Sequence, residues 1–161
     1  MDGRLRCMTA IYLSYRDEYY LLYRQGGSVV TDCYTGTAGG HFEQNELNDA
    51  RACVLRELFE ETGLTESDIS GLKLRYITQR LKNGEIRLNY YFFAELEKQT
   101  ALKSTEGEMR CFKPEEIASL EMPLSAAQML RHYFTEGRST ELLYSGATTE
   151  NGMVFTPLTE F

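Results

Sequence analysis

The sequence predicts a mixed α/β or α+β sandwich of helices and strands. Three observations carry that reading. Strand-like runs rich in aromatic and branched residues recur at 8–14, 19–23, 72–81 and 86–96. One stretch near 45–63 spaces its apolar residues as a helix does, and another over 123–136 is bounded by Pro and Gly as a helix is. Asparagine, glycine and proline stand at the joins between them. The order is strands, helix, strands, helix, strands, with no repeat and no linker, so a single domain over 1–161 is expected. A chain of 161 residues is long enough to bury a real core.

Residues 8–14 (MTAIYLS) read as a strand, Arg16, Asp17 and Glu18 as a turn, and 19–23 (YYLLY) as the returning strand of a hairpin. The stretch 25–40 is rich in Gly and Thr and reads as loop, with a short strand near Val29-Val30. A helix follows. Asn45 and Asn48 are both suitable N-caps, Leu47, Ala50, Val54 and Leu58 form its apolar side, and Gly63 suits the left-handed position that ends it. Segments 72–81 and 86–96 flank Lys82-Asn83-Gly84-Glu85, and Asn-Gly is the strongest two-residue hairpin signal because a type I′ turn needs positive φ twice. Another strand is expected around 109–112, a helical turn from Pro114, and a helix from Pro123 near N1 to about Glu136, stopped by Gly137. Short strands near 141–144 and 153–158 close the chain.

A net charge of −7 argues against general nucleic-acid binding, which relies on Lys and Arg, but leaves room for a small polyanion held through metal ions. No apolar run approaches the length of a membrane span and no secretory signal is visible, so no membrane association is expected. Cys7, Cys33, Cys53 and Cys111 are far apart, with no CxxC pair and no clustered His. They read as reduced thiols of a cytoplasmic protein. Nothing in the sequence decides oligomeric state, and a homodimer is left open.

The chemistry is concentrated in Arg56-Glu57-Leu58-Phe59-Glu60-Glu61-Thr62-Gly63-Leu64. Carboxylates at i, i+3 and i+4 share one edge of a helix and repel each other unless a cation sits there. A hard divalent ion such as Mg2+ takes oxygen ligands and suits that edge. Just upstream, Gly39-Gly40 ends the loop, where glycine allows close backbone approach and an inward carbonyl that could join the carboxylates as a metal ligand.

Together Gly39-Gly40 and residues 56–64 resemble the signature of the Nudix hydrolases, G-x5-E-x7-R-E-U-x-E-E-x-G-U with U apolar. The second half matches at every fixed position. In the first half Gly40-x5-Glu46 fits, but nine residues rather than seven separate Glu46 from Arg56, and counting back from Arg56 the glutamate position falls on Asn48. The simplest account is a two-residue insertion between loop and helix. The resemblance implies a Nudix-type α/β/α sandwich with a mixed sheet. It implies that Glu57, Glu60, Glu61 and the Gly39 carbonyl hold Mg2+, with Mn2+ as a substitute, and that Arg56 orients these ligands. Glu57, Glu60, Glu61, Arg56 and a further acid are then the catalytic set. Family members often draw that acid from outside the helix. Glu106 and Glu108 are the two candidates, and Glu108-Met109-Arg110 followed by Phe112 resembles the matching segment of the MutT-type oxidised-purine nucleoside triphosphatases, which favours Glu108.

By the same resemblance the substrate is a small nucleotide. The leading expectation is a nucleoside triphosphate, with 8-oxo-dGTP favoured, cleaved to monophosphate and pyrophosphate. ADP-ribose, a nucleotide sugar or a dinucleoside polyphosphate is the alternative, and a non-catalytic ligand-binding Nudix domain is a third. One departure stands out. Animal members of the triphosphatase group read the purine with paired aspartates after Trp-Pro, whereas Met122-Pro123-Leu124-Ser125 here has neither aspartate nor tryptophan. Tyr12, Tyr23, Tyr90 and Phe92 could stack a base, but aromatics on alternating strands are more often core. Arg24 ends the second strand near the glycine loop and could approach a phosphate.

Overall fold

The computed structural model describes residues 4–25 and 32–159. Eight strands form one mixed sheet in the order β3-β2-β1-β5-β4-β7-β8, with β6 also paired to β2. In chain order these are β1 (Arg4–Tyr15), β2 (Glu18–Arg24), β3 (Cys33–Thr35), α1 (Ala50–Thr62), β4 (Ile69–Lys82) and β5 (Glu85–Leu96). There follow β6 (Glu108–Phe112), α2 (Pro114–Ile117), α3 (Leu124–Thr135), β7 (Leu143–Thr149) and β8 (Gly152–Leu158). β1 runs parallel to β5 and β4 parallel to β7, while the hairpin partners are antiparallel.

Turn chemistry sets the two long hairpins. Arg16 and Asp17 take φ of 50° and 63°, and Asn83 and Gly84 take 53° and 75°. Both pairs therefore supply the two left-handed residues that match the twist of the flanking strands. Strand alternation then divides the apolar residues between two layers. Ile11, Leu13, Phe92 and Ala94 face α1 and pack on Val54 and Leu58. Tyr12, Tyr91, Phe93 and Tyr76 face α3 and pack on Ala126, Met129, Leu130 and Tyr133. The result is the expected helix–sheet–helix sandwich. Tyr12 and Phe92, 1% and 4% exposed, are core residues rather than a platform for a base.

Several local expectations are corrected. The N-cap of α1 is Asp49, whose Oδ1 accepts the Ala52 N–H at 2.9 Å, rather than Asn45 or Asn48. A 3-10 turn over Gln44–Glu46 precedes it. A strand, Cys33–Thr35, lies in the stretch read as loop, because its three residues pair with β2 without showing a period of their own. The strand expected at Val29-Val30 falls outside the described residues. Pro123 occupies the N-cap of α3 rather than N1, and Gly137 opens a further 3-10 turn, Gly137–Ser139. β7 runs on to Thr149, since its partner β8 extends equally far.

Candidate active site

Loop 36–41 is fastened along β1. The Ile11 and Thr9 amides donate to the Ala38 and Gly40 carbonyls, both at 2.9 Å. No hydrogen bond among the described residues ends on the intervening Gly39 carbonyl. A Cβ on Gly39 would lie 2.2 Å from the Thr9 carbonyl oxygen, and one on Gly40 would lie 2.3 Å from Glu57 Oε1. The paired glycines are thus steric requirements: one lets the loop lie against β1, the other lets the Glu57 carboxylate rest on bare backbone. From the loop, the Gly39 N–H donates to Glu61 Oε2 at 3.3 Å.

Arg56 ties the helix to the loop. Its Nε donates to Glu46 Oε1 at 2.7 Å and its Nη2 to Glu46 Oε2 at 2.9 Å, a two-pronged pair. Nη2 also donates to the His41 carbonyl at 3.0 Å, while Nη1 reaches Glu57 at 2.9 Å and Glu60 at 3.1 Å. Glu46 is buried, and its Oε2 further accepts its own turn's Glu43 N–H. The two-residue insertion therefore leaves the Glu46–Arg56 contact intact. The additional residues are taken up between the 3-10 turn and Asp49, where Leu47 projects into solvent at 58% exposure.

Electrostatics separate these acids. The Arg56 guanidinium holds the Glu46 carboxyl down at about 2, against an ordinary 4.5, outweighing the opposing effect of burial. Hydrogen bonds from the same pair raise Arg56. Burial pushes Glu61 up to about 7; the Gly39 N–H opposes this, and the charges of Glu57 and Glu106 add to it. Burial, then the adjacent Arg6 charge, lowers the His41 imidazole.

Glu57 and Glu60 engage Arg56, and Glu61 engages the loop, so no three acidic, His or Cys side chains among the described residues form a ready metal cage. The donor set nonetheless fits a hard divalent cation. It consists of three carboxylates along one helix edge and a backbone carbonyl free of hydrogen bonds, and one of the carboxylates is costly to ionise until positive charge arrives.

The other candidate residues are dispersed. Glu106 pairs with Arg24 at 2.7 Å, and the charges of both act on Glu61. The Thr105 amide beside Glu106 also donates to the Glu61 carbonyl at 3.0 Å. Glu108 opens β6 and is 63% exposed in its side chain, and Arg110 donates to it at 2.7 Å and lowers its carboxyl. Arg110 lies 4.5 Å over the Tyr23 ring and donates to the Tyr34 hydroxyl at 2.7 Å, an arrangement that residue spacing gave no means of finding. Tyr90 packs on Phe42, with 5.2 Å between ring centroids.

With that geometry in place, comparison with known proteins gives a consistent result. No curated protein is significantly similar in sequence. In solved structures the fold matches the mutator MutT protein of Bacillus halodurans, at TM-score 0.67 and 21% identity, over 96% of this chain and 95% of that one. It also matches the MutT protein of Methanosarcina mazei Go1, at TM-score 0.65 and 18% identity, over 87% and 99% of the two chains. A C. elegans Ap4A hydrolase matches at TM-score 0.65 and 16% identity, over 85% and 99%. The NUDIX domain family model matches residues 6–133, and the chain belongs to that family, the Nudix hydrolases of pyrophosphate bonds.

Proposed function

We propose that this chain is a Mg2+-dependent nucleoside triphosphate pyrophosphohydrolase, in which water attacks a phosphorus of the substrate and nucleoside monophosphate and pyrophosphate leave. The observation that carries the reading is the acidic edge of α1, tied to Gly39 through Glu61 and held in place by the Arg56–Glu46 pair. Glu57, Glu60, Glu61 and the Gly39 carbonyl are the residues that would hold the cation, with Mn2+ an acceptable substitute. The cation, when bound, neutralises phosphoryl charge and lowers the pKa of the attacking water.

The chain's own residues supply position. Arg56 holds Glu57 and Glu60 side by side and is itself fixed by Glu46 and the His41 carbonyl. In-line attack depends on such positioning and charge neutralisation more than on covalent chemistry. The further carboxylate is Glu108 by resemblance. Glu106 is its competitor, because its charge acts on Glu61. Comparing kcat for Glu106→Gln and Glu108→Gln ranks them: the true base or ligand loses far more turnover than the other.

The resemblance of 108–112 to the MutT-type triphosphatases favours a nucleoside triphosphate, and two of the matching solved structures are named MutT. The neighbour named an Ap4A hydrolase favours the second reading, a dinucleoside polyphosphate or another diphosphate derivative. The 122–125 segment offers no carboxylate to a purine edge, so 8-oxo-dGTP rests on resemblance alone. A panel of nucleoside triphosphates, oxidised nucleotides, dinucleoside polyphosphates, ADP-ribose and nucleotide sugars, incubated with Mg2+, tests the proposal. Monophosphate plus pyrophosphate supports it; two mononucleotides from a dinucleoside polyphosphate, or AMP plus a sugar phosphate from ADP-ribose, supports the alternative; and tight binding with no turnover of any compound supports a non-catalytic domain.

A further inference from the structure

β1, β5 and β4 carry a second charged feature at the end of the sheet where β1 begins, on the face that α3 covers further along. Arg6, Arg87 and Arg80 stand opposite one another in register across the three strands. The next row outward is Arg4, Glu85 and Lys82. By strand alternation all six share the face of Tyr12, Tyr91 and Tyr76. The block thus sets five cations against one carboxylate in a chain whose net charge is −7. That carboxylate, Glu85, is already engaged by Arg87 Nε at 2.7 Å. Arg4, Arg6, Arg80 and Lys82 have no ion-pair partner among the described residues.

Like charges directly opposite on paired strands are destabilising. Three in one row would be relieved by an anion. His41 joins this block to the catalytic edge: Arg6 Nε donates to its Nε2 at 2.5 Å, and its carbonyl accepts from Arg56 at 3.0 Å. Three strands and two rows cover about 10 Å by 7 Å, the footprint of a short phosphate chain rather than the track of a nucleic-acid backbone.

We infer that the Arg6–Arg87–Arg80 row, with Arg4 and Lys82, is an anion subsite that receives a phosphate group of the substrate lying beyond the bond that is cut. The inference rests on the hydrolase reading and narrows it to substrates with phosphate to spare, such as nucleoside triphosphates and dinucleoside polyphosphates, over ADP-ribose.

The test is a calorimetric titration of inorganic tripolyphosphate into protein stripped of divalent cations, at low salt. Native protein binds it, and the affinity falls as salt is added. Arg80→Gln with Arg87→Gln weakens binding by about tenfold or more, the equivalent of losing one charge-assisted hydrogen bond. Arg80→Gln with Lys82→Gln, both at the edge of the block, gives a second variant showing the same direction should the first fail to fold. Absence of binding to native protein, or equal binding by the folded variants, overturns the subsite. No metal and no turnover enter this measurement, so failure of the substrate panel overturns the hydrolase reading separately.

Discussion

Arg56 grips Glu46 through two parallel hydrogen bonds of 2.7 and 2.9 Å, although nine residues separate the two in sequence. The contact closes the loop over the start of α1 and leaves the other edge of the guanidinium for Glu57 and Glu60. Its energetic weight follows from the burial of Glu46. Glu46→Ala leaves the Arg56 charge half-buried with its main partner gone. The expected cost is about 3 kcal/mol of stability, read from urea denaturation. Turnover is expected to drop by roughly 10- to 100-fold, as for other residues that orient metal ligands. Glu46→Gln keeps one acceptor and should fall between that variant and the native protein.

Gly40→Ala separates stability from activity. The added methyl meets the Glu57 carboxylate, the mobile end of a side chain, rather than backbone. The fold should therefore survive with a thermal midpoint within a few degrees of native, while Glu57 is driven from its place and the Mg2+ concentration needed for half-maximal activity rises. Gly39→Ala instead meets the Thr9 carbonyl and should destabilise the protein outright.

The pH dependence has two opposite parts. Glu46 is held at about 2 when folded, below its ordinary 4.5. Its contribution to stability is complete above about 4.5 and is lost as pH falls from there towards 2. Glu61 is raised from 4.5 to about 7, so between those values the folded protein keeps a proton that the unfolded chain has released. In the chelated protein its contribution is complete below 4.5 and is lost as pH rises to about 7. Thermal midpoints at pH 5 and pH 8 in chelator should accordingly fall more for native protein than for Glu61→Gln, and added Mg2+ should rescue the native protein more.

How legible all this is in the sequence depends on whether the cause is local. Asn83-Gly84 announces its hairpin because two positive φ angles are a local demand, and Gly63 ends α1 for the same kind of reason. The Asp49 cap is not legible because three neighbouring residues, Asn45, Asn48 and Asp49, all carry capping side chains, and only the path of the inserted residues chooses between them. Strand β3 is specified by its pairing with β2 and not by its own three residues. At the site, the acidic edge of α1 follows from i, i+3 and i+4 spacing. The Glu46–Arg56 contact, the Arg110–Tyr34 contact and the row of Arg6, Arg87 and Arg80 join distant segments, so only register and topology bring them together.

The central claim is that the edge formed by Glu57, Glu60 and Glu61 performs divalent-cation-dependent hydrolysis of a nucleotide anhydride. The most direct measurement is release of monophosphate and pyrophosphate from a nucleoside triphosphate by native protein and by Glu60→Gln and Glu61→Gln, each with Mg2+ and with chelator. The account predicts turnover by native protein only when Mg2+ is present, with a loss of more than about a hundredfold in both variants. Turnover that persists in chelator, or that either variant retains largely unharmed, would contradict it.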